Sequence, residues 1–163
     1  MTAALESATY PTAGRTWLRW AVGTFVVVES VHFAAGLFFN DWEGWSTLVA
    51  NLVFVVVTGV VLVGATFGLF ARWALRDEER AGKGALGVAL VSLASYAIFF
   101  TWAPFVTAVA ALLLGRTALV GAPTGRAARA ARIGMGLGAL SLAIGVSMLA
   151  YAAFNGGDYP FGL

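Results

Sequence analysis

Hydrophobic positions in this chain neither alternate nor recur every third or fourth residue; they run on. Residues 17–39, 47–70, 84–115 and 133–154 are almost free of charge. Helices that are apolar on every side belong in hydrocarbon or in a protein interior. A stretch of about 20 apolar residues spans a bilayer core of roughly 30 Å. The first, second and last runs each predict one spanning helix. The run over 84–115 is too long for one, since roughly 32 residues at 1.5 Å per residue make a helix of about 48 Å.

A proline breaks that run. Pro104 follows Thr101-Trp102-Ala103 near its middle, and proline removes a helical hydrogen bond and disfavours helical geometry at the residue before it. This predicts a tight turn there, joining spans over about 84–100 and 105–119. The alternative is four helices, one of them long and kinked at Pro104. Polar positions favour the hairpin. The 10 Lys and Arg residues fall in three clusters, Arg15 and Arg19, Arg72 to Lys83, and Arg116 to Arg132. Basic residues in short loops mark the cytoplasmic side, so the crossings between Lys83 and Arg116 should be even in number. Indoles favour the headgroup interface, and a hairpin puts Trp17, Trp20 and Trp73 at the inner surface, with Trp42, Trp45 and Trp102 at the outer.

The predicted architecture is therefore an all-α integral membrane protein, a bundle of five transmembrane helices with its N-terminus inside and its C-terminus outside. It divides into a polar cytoplasmic tail (1–14), a two-helix hairpin with a cytoplasmic loop (15–83), a three-helix membrane module (84–154) and an outer tail (155–163). The first apolar run exceeds the usual signal-peptide core of roughly 7–15 residues, which predicts an uncleaved first span.

Composition sharpens this picture. Hydrophobic residues make up 60% of the chain and charged residues 11%, against roughly 45–50% and about 25% in soluble domains. The net charge is only +2 and the basic residues sit where membrane orientation puts them, so no nucleic-acid partner is expected. With Cys absent there is no disulfide framework and no thiolate metal site. The location implied is a cytoplasmic membrane, crossed more than once.

Residues 84–154 combine GALGVALVSL, Pro104 within the run, Leu114-Gly115-Arg116, an arginine-rich loop and Gly134-Met135-Gly136-Leu137-Gly138. This layout resembles a bacterial membrane-domain family of unknown function, built as an apolar hairpin, a basic loop and a glycine-rich helix. The resemblance covers a little under half the chain. It implies a membrane module attached to varied N-terminal parts, and transfers no functional residues.

Glu29 is the sharpest chemical candidate, because it lies near the midpoint of the first apolar run. A carboxylate there costs about 2.5–3.5 kcal/mol on insertion scales, so it should be protonated, paired or turned to a polar interior. His32 falls one turn on along the same face. Together they could form a proton or cation site with Asn51. The plainer reading is a buried acid bonded to Asn51, Thr58 or His32 that fixes helix packing. Glu29-x-x-His32 has di-iron ligand spacing, but that site requires a second such pair, which the sequence lacks. No metal or cofactor is expected.

Gly64-x-x-x-Gly68, Gly134-x-x-x-Gly138 and Ser141-x-x-x-Gly145 are small-residue stripes that permit close helix approach. Ser92, Ser95 and Tyr96 share a face that could line a polar cavity with Glu29, or bond neighbouring helices. Arg126, Arg129 and Arg132, spaced by three, would form one basic edge toward anionic headgroups, as a topology signal or a lipid site. Asp77, Glu78 and Glu79 beside Arg76 and Arg80 read as a solvated loop. No catalytic set appears. The leading expectation is a non-catalytic accessory or scaffold subunit whose partners are the lipid bilayer and other membrane subunits or further copies of the chain. The alternative is a proton- or cation-coupled transporter or channel using Glu29.

Overall fold

The computed structural model describes residues 45–96, 103–121 and 124–154, and between 19 and 30 also Arg19, Trp20, Val22, Gly23, Val26, Val27 and Ser30, all helical. Regular structure among the described residues is helical throughout. Helix α1 (Trp45–Val63) is uncharged over its 19 residues. It passes without a break into a π-helical segment, Gly64–Phe70, and then α2 (Ala71–Ala74), because Val63 and Ala71 both keep right-handed helical angles. Within the wide segment Ala71 N–H donates to the Thr66 carbonyl, five residues back, as π geometry requires. The expected second span over 47–70 is thus helical along its length. The rod ends at Leu75, whose φ of −79° and ψ of 5° leave the helical region.

Helix α3 (Glu78–Ser95) begins earlier than the sequence suggested, at the charged segment read above as loop. Asp77 is extended (φ −154°, ψ 161°) and its side chain accepts from Arg80 N–H at 2.7 Å. That is an N-cap, and with Glu78 and Glu79 in the first turn the acids face the positive end of the helix dipole. Arg80 Nε lies 2.9 Å from Asp77 Oδ2, and Lys83 Nζ lies 2.6 Å from Glu79 Oε1. Residues 78–83 are therefore helix, and the proposed domain boundary at 83/84 falls inside α3. Local side-chain pairing and capping make this charged stretch a helix start.

Helix α4 (Ala103–Gly121) lies antiparallel to α3. Gly121 meets Glu78, Gly84 meets Leu114, and the Ser92 hydroxyl reaches the Pro104 carbonyl. The run over 84–115 is therefore broken into two helices that fold back on each other, not one helix kinked at Pro104. Ala103 and Pro104, expected in the turn, already belong to α4. Proline costs nothing there, because first-turn N–H groups have no intrahelical acceptor. Residues 97–102, Trp102 among them, lie outside the described residues.

Helix α5 (Gly125–Phe154) starts eight residues before the expected 133, after Gly125 turns the chain with a φ of +89°. It runs parallel to α3, with Gly82 against Ala127 and Ser92 against Ser141, and antiparallel to α4, with Gly138 against Ala108 and Ala111. Two helices, α4 over its whole length and α5 over Gly125–Tyr151, are long and apolar enough to cross a membrane.

The interior is built from small side chains. Ala85, Ala89, Ala108, Ala110, Ala111 and Ala131 are all at 0% exposure, with Val106 and Leu114 as the larger exceptions. Phe67, Ala71 and Ala74 of the first rod belong to one buried cluster with Ala85, Val88, Ala89, Val106, Ala110, Ala111 and Leu114. The large side chains point outward: Val61, Leu90, Val91, Val120, Ile133, Leu140 and Val146 are exposed, and Phe154 reaches 90%. Size and burial are inverted relative to a water-soluble core, where large aliphatic residues are the ones inside.

Candidate functional site

The buried polar side chains of the three-helix body gather at the end nearest Ser95 and Ala103. Ser92 projects from α3 into the line where α4 and α5 meet, and is fully buried with Ser141. Its hydroxyl donates to the Pro104 carbonyl at 2.7 Å and lies 2.6 Å from Ser141 Oγ. A hydroxyl has one hydrogen. With that of Ser92 directed at Pro104, Ser141 must be the donor between the serines. One turn further on, Tyr96 OH donates to the Ser141 carbonyl at 2.6 Å. Gly145 makes room for this contact, since a Cβ there would overlap the Tyr96 hydroxyl and the Phe105 ring. Thr107 Oγ1 stays on its own helix, 2.9 Å from the Ala103 carbonyl and 3.2 Å from that of Pro104. Ser95 likewise donates to the Val91 carbonyl at 2.7 Å.

Each of these hydroxyls is therefore engaged in a protein hydrogen bond. The chemistry available is that of a clasp, a chain from α4 through α3 to α5 that fixes the axial register of three otherwise featureless helices. Ser92 and Tyr96 do share a face, as the sequence suggested, and they meet neighbouring helices there. Among the described residues no three of His, Cys, Asp and Glu come together in a group that could hold a metal ion.

The other end of the body is basic. The close approach of Gly82 to Ala127 and of Gly121 to Glu78 brings the Arg72–Lys83 cluster and the Arg116–Arg132 cluster to one end. Arg126, Arg129 and Arg132 are exposed on α5, on the side away from the buried line Ala128, Ala131, Gly134, Gly138, Ser141 and Gly145. The three side chains share one face of α5.

The remaining sequence candidates divide clearly. Gly134 and Gly138 sit at close helix approaches: a Cβ on Gly134 would stand 2.6 Å from Ala85 C and Leu86 N on the α3 backbone, and one on Gly138 would stand 3.2 Å from the Ala108 carbonyl. Gly64 and Gly68 lie in the π segment, with nothing described within 4 Å of either position. Glu29 and His32 lie outside the described residues, and so does the side chain of Asn51. Sequence reading missed Gly82, Gly115 and Thr107. Gly115 receives Met135, and its lone position next to Arg116 gave no repeating pattern to notice.

The chain matches no protein-family model, no curated protein and no solved structure.

Proposed function

We propose that this is a small multi-pass protein of the cytoplasmic membrane that serves as a non-catalytic accessory or scaffold subunit. One observation carries the reading: an interior of Ala, Gly and Ser beneath an exterior of Val, Leu, Ile and Phe. In water that arrangement would expose extended apolar patches of a kind soluble monomers avoid. In lipid it is favourable, because tails solvate large aliphatic side chains and small residues let helix backbones pack closely. Lipid tails or neighbouring subunits would cover the exterior.

The engaged hydroxyls support a packing role over a catalytic one. In this reading five helices cross the bilayer with the basic end in the cytoplasm, and the Ser92–Ser141 clasp lies toward the outer leaflet. Partners are other membrane subunits or further copies of the chain. Gentle detergent extraction followed by in-membrane crosslinking tests this directly. A stable assembly containing the chain is the expected result; a monodisperse monomer with no crosslinked partner contradicts it. Transport through Glu29 is the competing proposal, and unchanged proton flux in vesicles carrying Glu29→Gln would remove it.

A further inference from the structure

We infer that the basic edge of α5 is a binding surface for anionic phospholipid headgroups, an inference that rests on the membrane reading above. Among the described residues the acids of this end lie at the start of α3, where Asp77 pairs with Arg80 and Glu79 with Lys83. From residue 84 to residue 154 the sequence carries Arg116, Arg126, Arg129 and Arg132 and no acidic residue at all. Helices α4 and α5 therefore add basic side chains and no acidic ones to this end. Length places it at a defined depth. Helix α5 has 30 residues, about 45 Å at 1.5 Å per residue, whereas the hydrocarbon core takes about 30 Å. The surplus of about 15 Å, nearly three turns, takes in Arg126, Arg129 and Arg132, which are exposed, so these guanidinium groups stand at the level of the phosphates. Trp73, 44% exposed at the same end, is the residue type that settles at that interface. Orientation alone needs only a basic bias, which Arg72 to Lys83 already supplies. A second group of exposed cations, Arg126 and Arg129, suits anionic headgroups through charge, at about 1 kcal/mol for each cation near the surface.

The full-length protein in neutral detergent is titrated with phosphatidylglycerol, phosphatidylcholine and inorganic phosphate, and binding is read from the thermal shift. Phosphatidylglycerol should bind more tightly than phosphatidylcholine, and less tightly as salt rises. Arg126→Gln with Arg129→Gln should weaken phosphatidylglycerol binding by about fivefold per charge, the equivalent of about 1 kcal/mol each. Phosphatidylcholine binding and the lipid-free melting temperature should stay unchanged, and Arg126→Lys with Arg129→Lys should keep most of the affinity. Equal affinity for the two lipids overturns the proposal and leaves the edge to an acidic protein segment. So does full retention of binding by the Gln variant, or an equal shift from inorganic phosphate. Alkaline extraction of the wild type from phosphatidylcholine vesicles separates the two levels: release of the protein there would contradict the membrane reading itself, whereas retention with no lipid preference contradicts only the lipid site.

Discussion

At the scale of single residues, the protein depends on atoms that are not there. Gly134 carries α5 against the α3 backbone so closely that the Cβ of Gly134→Ala would collide with Ala85 and Leu86 main-chain atoms, which cannot rotate away as a side chain could. The helices must separate, and overpacking of this kind typically costs about 1–3 kcal/mol. Gly136→Ala, two residues along, meets nothing within 4 Å and should change stability by under about 0.5 kcal/mol. Detergent-denaturation midpoints of the two variants give the comparison; equal midpoints would contradict the packing described. The clasp makes a second residue-level prediction. Ser92→Ala removes two interhelical hydrogen bonds and Ser141→Ala one, each worth about 0.6 kcal/mol on average in membranes and up to about 1.7. Because the serines bond to each other, a double-mutant cycle should show the pair losing less than the sum. Strict additivity would mean that they do not interact.

At the scale of elements, the turn-breaking effect of Pro104 was legible in the sequence, and so were the small stripes of α5. What sequence reading misplaced were helix starts. It took charge as a sign of loop around Asp77 and began the last span at 133, yet Asp77 caps α3, and the arginines of α5 stand on a helix that simply outruns the apolar stretch. Charge reports the solvent around a segment, whereas capping and pairing decide its backbone. Asp77→Ala removes both the cap and an ion pair of which each partner is close to half exposed. The cap accounts for the loss, about 1 kcal/mol, and exposed pairs add little. Amide exchange should quicken at residues 78–80 and remain slow near Ser92. Uniformly faster exchange along α3 would show that the helix does not start from this cap. Ser92 was placed on the correct face, but its partners could not be read, because Pro104 and Ser141 lie 12 and 49 positions away and helix register leaves no local pattern.

At the scale of the molecule, one antiparallel hairpin and one parallel return bring two sequence-distant basic clusters to the same end and gather the buried hydroxyls Ser92, Thr107 and Ser141 toward the other. In the proposed membrane reading, this charge asymmetry puts the basic end inside. The same inverted core explains why the protein should need lipid: removed from it, the exposed Val, Leu and Phe residues would associate, and aggregation on dilution out of detergent is the expected behaviour.

The most direct test of the whole account uses the absence of native cysteine. Single cysteines at Ala103 and at Thr124 mark the two ends of α4, and a membrane-impermeant maleimide is applied to intact cells and again after permeabilisation. The account predicts that Ala103→Cys is labelled in intact cells and Thr124→Cys only after permeabilisation. Labelling of Thr124→Cys from outside, or equal labelling of both before permeabilisation, would contradict it.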